Sequence, residues 1–382
     1  MPVQTLTLRQ LNRATLARQG LLAPLPDEAV ARQVERLGSL QAQHPDWPPL
    51  ALQSRLPAAA SVVDLNRART RKTVIRASLM RMTVHVVSAV DFWPMSTLTH
   101  PFRAIQFRAI FKLDPDTSRL GKRITAAHAQ VIAAMEDAPR SIREIEGLLA
   151  AQLTGVTIPA NRVLWRHFSS AVPLIQVPFP EETYGRARYL PATQWLPPPP
   201  SGMPDPDSAA AHVAERYLAA FGPASAEDLA AYIGRGRDQG RWRAAIESLG
   251  ERLVELRSGD GRPLFDLVDA PRPPEDIAAL PRLLARWDSL LLAYGTRDRA
   301  RVLPKEHQAT VITRNADVLP TFLVDGLVAG TWLPRSGRDG PRAELRPFGR
   351  LARADRLALE AEADRLLPTL RAGAFSRYPG SD

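Results

Sequence analysis

The spacing of apolar residues at the start of the chain predicts two helices separated by a proline-rich break. Residues 8–22 form the first periodic stretch, and Ala23-Pro24-Leu25-Pro26 ends it because proline cannot continue a helix. Asp27 is placed to cap the second helix, and a third helix is expected near 62–69. The N-terminal region is therefore predicted to be mainly helical.

The second helix carries an apolar stripe that leads to a glutamine. Apolar residues recur at helical spacing up to Leu37, and one turn further the same face is occupied by Gln41, which we expect to point inward. Pro45 disfavours helix at the residue before it, so the last turn is expected to unwind and bring Gln43 to the same cavity. Leaving a buried amide unpaired costs about 1–3 kcal/mol. The two amides therefore either satisfy backbone groups at the helix end or bind a ligand.

Two β-rich runs, 74–79 and 82–87, flank Met80-Arg81 and predict a short hairpin. Three predicted helices followed by a hairpin indicate a winged helix. Arg81 lies at the hairpin tip, where it can reach a partner. His85 faces the opposite side of its strand from the neighbouring valines, where it is either structural or part of the site.

The middle of the chain contains an internal repeat. Residues 223–229 restate 139–145 position for position in proline, serine, acidic and aliphatic residues, and the first copy has the pattern of a capping box. Each copy is followed by a Trp-Arg pair and then by a strand-like run. In the first copy these are Trp165-Arg166 and 174–177, and in the second they are Trp242-Arg243 and 253–256. This predicts two copies of a helix, capped helix, helix and wing unit.

The C-terminal region combines an arginine-rich segment with a tight turn. Arg286-Trp287-Asp288 and Arg297-Asp298-Arg299-Ala300-Arg301 are either a phosphate and base-stacking site or solvated surface. Asp325-Gly326 lies between β-rich runs and predicts a two-residue type I′ hairpin. Its role is either to probe a ligand or to form the wing of its own domain. An amphipathic helix is expected at 352–370.

These elements predict an α+β, mainly helical chain of tandem winged-helix domains with β-hairpin wings. A length of 382 residues suits two to four domains. The expected boundaries are an N-terminal winged-helix-like region at 1–120, a second winged helix at 121–196, a proline-rich linker at 197–208, a third winged helix at 209–275, and a hairpin and helix region at 276–382.

The charge of the chain favours a polyanionic partner. The net charge is +10 and the isoelectric point is about 10.5. An excess of basic residues does not by itself show whether the partner is a nucleic acid, a membrane surface or an acidic protein. Among the 50 basic residues only Lys72, Lys112, Lys122 and Lys305 are lysines, a bias that suits DNA contact but that GC-rich coding would also produce.

Several classes of chemistry have no support in the sequence. There are no cysteines, which excludes disulfides and thiolate metal sites. His-Glu-x-x-His, Walker and Gly-x-Ser-x-Gly motifs do not occur, so we expect no metal, no cofactor and no nucleotide. Without a leader or an apolar run of roughly 20 residues, the chain is expected to be cytoplasmic and nucleoid-associated, with no membrane partner.

Four short stretches follow one another in an order that resembles a known enzyme family. They are Leu40-Gln41-Ala42-Gln43, Arg76 to His85, Trp287-Asp288 with Tyr294 to Arg299, and Leu319 to Trp332. Together they resemble the AlkZ-like DNA glycosylases, relatives of the YcaQ-like enzymes, which carry Gln-apolar-Asp where this chain has Gln-Ala-Gln. The four stretches span most of the chain, although no single one is specific.

The resemblance implies that Gln41 and Gln43 are catalytic. The implied reaction is hydrolysis of the N-glycosidic bond of bulky or crosslinking purine adducts at N7 or N3, in DNA repair or in self-resistance to genotoxins. The expected partner is double-stranded DNA carrying alkylated purines, bound by a monomer. The expected DNA contacts are Arg81, His85, Arg286, Trp287, Arg297, Arg299, Arg301, Val324, Asp325, Gly326 and Leu327. The alternative is a non-enzymatic tandem winged-helix DNA-binding protein or transcriptional regulator.

Overall fold

The fold of the chain is α+β, with more residues in helices than in strands across the described ranges. A computed structural model describes residues 3–60, 64–112, 118–136, 138–155, 157–158, 162–179, 186–199, 201–234, 238–315, 317–337 and 340–370. It divides into two compact units, one formed by Met1–Leu65 with Ala211–Asp382 and the other by Asn66–Ala210. The predicted region 1–120 thus contributes residues to both units.

The first unit begins with short elements that lead to the Gln-Ala-Gln segment. They are β1 (Thr5–Leu6), α1 (Leu8–Arg18), α2 (Val30–Arg36), β2 (Leu40–Gln41) and α3 (Trp47–Gln53). Helix α1 begins with a capping box in which the Thr7 hydroxyl accepts from the Gln10 backbone and the Gln10 side chain accepts from the Thr7 backbone.

The second unit is built of helices around an antiparallel sheet. Its elements are α4 (Leu65–Thr70, which begins at the unit boundary), β3 (Val74–Ser78), β4 (Val84–Ser88), α5 (Ala89–Thr99), α6 (Pro101–Phe111), α7 (Arg119–Ala133), α8 (Ile142–Ala151), α9 (Val163–Ala171), β5 (Leu174–Val177), β6 (Arg188–Pro191), α10 (Ala192–Trp195) and the start of α11 (Pro206–Phe221). The strands of this unit lie in the order β4-β3-β5-β6. As predicted, β3 and β4 form a hairpin, and its turn is a 3-10 helix at Met80–Met82.

The remainder of the first unit follows the chain from the end of α11. Its elements are α12 (Ala226–Ile233), α13 (Gln239–Glu247), β7 (Leu253–Ser258), β8 (Pro263–Leu267), β9 (Arg282–Leu284), α14 (Ser289–Leu292), α15 (Gln308–Val311), β10 (Thr321–Val324), β11 (Leu327–Gly337), β12 (Gly340–Pro347) and α16 (Arg353–Leu366). One sheet has the order β1-β7-β8, with β1 parallel to β7, and the other has the order β12-β11-β10-β9. Four further 3-10 helices cover Gly250–Arg252, Asp298–Arg301, Lys305–His307 and Leu367–Thr369.

The repeat expected in the middle of the chain is visible in the order of the elements. Helices α7, α8 and α9 precede the β5–β6 pair, and α11, α12 and α13 precede the β7–β8 pair. Capping boxes begin the second helix of each copy, with Ser141 and Glu144 in α8 and with Ser225 and Asp228 in α12. Of the expected linker at 197–208, residues 197–199 and 201–205 contain no helix or strand, but α11 begins at Pro206, so the last three residues are helical.

The helix that was predicted to carry Gln41 ends earlier than its apolar stripe. Helix α2 stops at Arg36, and Gly38 turns the chain with a φ of +75°. A Cβ at Gly38 would lie 3.0 Å from the Phe221 ring, so a larger residue would be crowded as well as strained there. Gln41 therefore lies in strand β2, not on a helix, although its side chain is buried as expected.

Three other predictions about local structure also need correction. Helix α1 ends at Arg18 and not at residue 22, because the chain turns at Gly20 with a φ of +66°. The N-cap of α2 is Ala29 and not Asp27, and no side chain caps it. Helix α5 was not predicted, since buried residues such as Phe92, Trp93 and Leu98 are distributed around it and leave no amphipathic period.

Candidate functional site

The Gln-Ala-Gln segment lies between two anchored positions of the first unit. On its N-terminal side, the Ser39 hydroxyl lies 2.7 Å from the Tyr232 hydroxyl, and the Ser289 hydroxyl donates to the Ser39 carbonyl at 2.5 Å. All three side chains are buried. Tyr232 belongs to α12 and Ser289 begins α14, so distant parts of the chain determine where the segment starts.

On its C-terminal side the segment enters helix α3 through a buried tryptophan. The ring of Trp47 meets Trp332 of β11 edge to face, with 5.8 Å between the ring centroids. The Trp332 indole N–H donates to the Leu284 carbonyl at 2.9 Å, which joins both tryptophans to the C-terminal sheet. Between the segment and α3, His44 Nδ1 lies 3.3 Å from an Asp46 carboxylate oxygen.

The two amides differ in exposure. Gln41 is 7% exposed and Ala42 is fully buried, whereas Gln43 is half-buried. A glutamine side chain is neutral and offers two N–H donors and one carbonyl acceptor. The segment thus presents one amide inside the fold and a second at its surface, on a backbone that is anchored at both ends.

The β3–β4 hairpin brings Arg81 and His85 together. Arg81 has a φ of 50° in the turn, and its guanidinium lies 3.3 Å from His85 Nε2. His85 Nδ1 lies 3.0 Å from the Thr83 carbonyl, which can only accept, so Nδ1 carries the proton and Nε2 accepts from Arg81. Burial, and then the positive charge of Arg81, lower the pKa of His85 to about 3. His85 is therefore a neutral, buried acceptor that orients Arg81.

We expect the second unit to lose stability as the pH falls from about 6.5 towards 4. Burial is the main reason that the pKa is lowered to about 3 at His85 and to about 4 at His100 and His128. Below pH 6.5 the unfolded chain binds protons at these residues before the folded chain does, so their contribution to stability is complete above that pH and is lost on acidification. Hydrogen exchange of α7 and β4, corrected for its intrinsic pH dependence, should show reduced protection at pH 4.5.

The first unit provides the internal comparison for this experiment. Burial raises the pKa of Asp228 to about 6 and that of Glu362 to about 7, so these two carboxyls act in the opposite direction between pH 4.5 and 7. Equal loss of protection in both units on acidification would contradict the assignment to the three histidines.

Three of the arginines expected to contact DNA are instead part of the fold. Arg301 is fully buried and donates to the Pro223 carbonyl at 2.7 Å. Arg299 donates to the carbonyls of Leu291 and Tyr294. Arg286 is 7% exposed and pairs with Asp317. Because their guanidinium groups bind internal acceptors, these side chains stabilise the fold; Arg286 and Arg301 are buried, whereas Arg299 is half-buried.

The other two members of the arginine-rich segment have different environments. Arg297 is exposed and pairs with Asp260. Trp287 is half-buried, packs against the core that includes Leu284 and Leu290, and lies under the Arg286 guanidinium at 4.9 Å. Its ring therefore already has contacts in the fold, whereas Arg297 remains accessible.

The turn at Asp325-Gly326 has the predicted geometry, but helix α1 holds it. Both residues have positive φ, and Val324 pairs with Leu327 across the turn. Asp325 pairs with Arg9 and Arg13, and the Asn12 amide donates to the Gly326 carbonyl at 2.9 Å. The acceptors at the tip therefore bind α1, while the Asp325 side chain stays 48% exposed, so a role of the tip in probing DNA stays a prediction. Val324 is half-buried, and Leu327 is 39% exposed.

We expect Asp325→Asn to lower the free energy of unfolding by about 1.5–3 kcal/mol, the range for a hydrogen bond to a charged group. Asparagine tolerates the left-handed backbone at this position, so the substitution removes the charge without adding strain. Arg13, whose side chain is fully buried, would lose its carboxylate partner. Urea unfolding measures the loss, and unchanged stability together with weaker DNA binding would instead support the probing role.

The described residues contain no group of three or more histidine, aspartate or glutamate side chains arranged to hold a metal ion. Within the same ranges, none of the helices is both long and apolar enough to cross a membrane.

The comparisons with known proteins agree on one family. Residues 34–369 match the family described as DNA glycosylase AlkZ-like. The interstrand DNA cross-link repair glycosylase of Streptomyces sahachiroi is 33% identical over 136 residues, so the match spans 34% of this chain and about a third, 35%, of that protein. The solved structure of Streptomyces sahachiroi DNA glycosylase AlkZ has a TM-score of 0.75 and 22% identity, covering 98% of this chain and 99% of that one. Since the family match covers most of the sequence, the chain belongs to the AlkZ-like DNA glycosylase family.

Proposed function

We propose that this protein is a monofunctional DNA glycosylase that excises bulky or crosslinking alkylpurines from double-stranded DNA. The observation that carries the proposal is the Gln-Ala-Gln segment, anchored at both ends, in a chain of the AlkZ-like family. The name of the Streptomyces relative, an interstrand DNA cross-link repair glycosylase, supports crosslinked DNA as the substrate. Self-resistance to genotoxins is a further part of the proposal.

The chemistry suits two neutral amides. A purine alkylated at N7 or N3 already carries a positive charge, so its glycosidic bond breaks without a strong general acid and leaves an oxocarbenium-like sugar. Water then adds to C1′ and releases a proton, which leaves an abasic site and the free alkylated base. We assign to Gln41 and Gln43 the tasks of placing this water and stabilising the positive sugar with their carbonyl oxygens. Neither task requires an ionisable side chain.

Two of the arginines singled out from the sequence are proposed to bind the DNA substrate. Arg81 is the first candidate, because His85 orients its guanidinium from within the hairpin. His85 is then a positioning residue, and its low pKa keeps it neutral in that role. Arg297 is the second candidate, since its side chain is exposed. Both would bind phosphates and therefore add affinity without sequence preference.

The two copies of the internal repeat are proposed to be winged-helix modules. Each has three helices followed by an antiparallel strand pair, and the third helix of such a module commonly lies against the DNA. We further propose that the protein acts as a monomer, without a nucleotide cofactor, on DNA of the nucleoid. The basic net charge of +10 supports DNA as the partner.

The test is release of a damaged base. The protein is incubated with duplexes that carry N7-methylguanine, a bulky N7-guanine adduct or an N7 interstrand crosslink, and abasic sites are detected by alkaline strand cleavage. We expect release of the bulky or crosslinked base and none from undamaged duplex. Binding of all duplexes without release from any of them would instead support the non-enzymatic winged-helix regulator.

A further inference from the structure

A pocket of about 230 Å³ in the second unit has a basic wall. It lies between α6, α9 and the β3–β4 hairpin, and its charged lining residues are Arg103, Arg162 and Arg166. Among the described residues, no aspartate or glutamate lines it. Within the described ranges none of these three arginines pairs with a carboxylate, unlike the arginines described above that have acidic partners. The pocket therefore concentrates positive charge that no carboxylate of the described residues pairs with.

Arg103 is the most constrained of the three arginines. Its Nη1 donates to the Ser169 carbonyl at 3.0 Å, which fixes the guanidinium in the wall between α6 and α9. Burial lowers its pKa to about 10, so it remains charged at neutral pH. A partly desolvated cation without a counter-charge is costly to the fold, and an anion in the pocket would offset that cost.

The size and lining of the pocket restrict the ligand. Its volume is below the roughly 300–1,000 Å³ that is typical of pockets for drug-sized molecules, so the charged group it holds is compact. The amide of Gln106 adds a polar group to the wall, and Phe107 and Trp165 add apolar surface. Guanidinium groups match phosphate oxygens through paired N–H donors. A phosphate with an attached sugar meets all of these requirements.

The second repeat offers a comparison within the same chain. Arg243 occupies the position of Arg166 in the repeated Trp-Arg pair and also lines a pocket. That pocket includes Glu227, and Arg243 itself lies 3.6 Å from a carboxylate oxygen of Glu247. Carboxylates therefore balance the positive charge of this second pocket. The pocket between α6 and α9 has no such carboxylates among its described lining residues.

We propose that the pocket between α6, α9 and the β3–β4 hairpin binds one phosphodiester of the DNA backbone through Arg103, Arg162 and Arg166. This rests on the proposed function, because DNA is the polyanion that a glycosylase of this family would bring to the second unit. The site adds affinity and fixes the position of the duplex, and it takes no part in breaking the glycosidic bond.

The test is the salt dependence of binding to an undamaged duplex, measured by fluorescence anisotropy on the full chain. Arg103→Gln, Arg162→Gln and Arg166→Gln are each expected to weaken binding about tenfold at low salt. Replacing all three should reduce the slope of log affinity against log salt by about one, the value for one phosphate. Arg188→Gln is the matched control, because it removes the same charge from the same unit at a side chain 3.5 Å from Glu144. It is expected to change affinity less than twofold.

Two further measurements separate the alternatives. If Arg103→Gln fails to fold, the exposed residues Arg162 and Arg166 decide the question. Thermal melting with inorganic phosphate or chloride at matched ionic strength tests for a free-anion site. Phosphate stabilisation that Arg103→Gln abolishes, with DNA affinity unchanged, would overturn the assignment to the DNA backbone.

The outcome does not depend on catalysis. If folded Arg103→Gln and Arg166→Gln retain the wild-type affinity and salt slope, the proposal of a phosphate site is wrong. This holds even if the wild-type protein releases damaged bases. If the wild type releases no base, the proposed function fails, and the affinity series still decides whether the pocket binds DNA.

Discussion

Alanine at either Gln41 or Gln43 is expected to lower the single-turnover rate of base release by about 100- to 1000-fold, the range seen when one preorganised polar group is removed from a catalytic site. The proposed amide contacts form with the attacking water and the charged sugar, which exist together only near the transition state. Affinity for the damaged duplex should therefore change little. Quenched-flow excision with enzyme in excess measures the rate, and anisotropy measures the affinity.

A third glutamine near the segment provides the control. Gln33 lies on α2, and its amide donates to the Glu28 carbonyl at 2.9 Å, outside the Gln-Ala-Gln segment. Gln33→Ala should retain the wild-type excision rate even if it lowers the melting temperature. Wild-type rates in both Gln41→Ala and Gln43→Ala, with folded protein, would remove these amides from the mechanism.

Asp266→Ala is expected to have the largest effect on stability, with a loss of about 3–5 kcal/mol in the free energy of unfolding. The Asp266 carboxylate is fully buried and accepts twice from Arg18, at 2.8 and 3.0 Å, and once from Arg272 at 2.6 Å. Its removal leaves the buried Arg18 guanidinium without a counter-charge. Burial already lowers the pKa of Arg18 despite the presence of Asp266, which indicates how unfavourable that environment is for a lone cation.

The control for this prediction is an acidic residue with two arginine partners at the surface. Glu344 accepts from Arg335 at 2.6 Å and from Arg346 at 2.8 Å, and its side chain is 39% exposed. Because water replaces such contacts, Glu344→Ala should cost no more than about 1 kcal/mol. Replacing both buried partners, as in Arg18→Met with Asp266→Leu, should cost less than Asp266→Ala alone. Equal urea midpoints for Asp266→Ala and Glu344→Ala would refute this account of the buried pair.

Local signals in the sequence predicted many of the elements correctly. The capping pattern at Ser141 and its repeat at Ser225 both begin helices, and the Asp325-Gly326 dipeptide forms the expected turn. Such signals act between residues that are adjacent or three positions apart, so they are readable without the fold. The prediction for Gln41 was correct in its burial and wrong in its secondary structure, because periodicity did not reveal that Gly38 turns the chain.

The roles of the arginines were not readable in the same way. Arg297 and Arg301 are four positions apart in one arginine-rich run, yet the first is exposed and the second is fully buried. Conversely, no motif drew attention to Arg103 and Arg162, and Arg166 stood out only as part of the repeated Trp-Arg pair, yet the fold brings all three to one pocket. A guanidinium can pair with solvent, a backbone carbonyl or a carboxylate, and the residue type alone does not determine which it meets.

By itself the sequence determined the local elements of this protein, its internal repeat, the basic charge and the resemblance that pointed to Gln41 and Gln43. Only the tertiary structure decided which polar groups are accessible. Asp325 illustrates the reason, since its partner Arg9 is 316 positions away and anchors the turn to α1. Whether a charge faces solvent depends on such distant contacts, and these form only when the chain is packed.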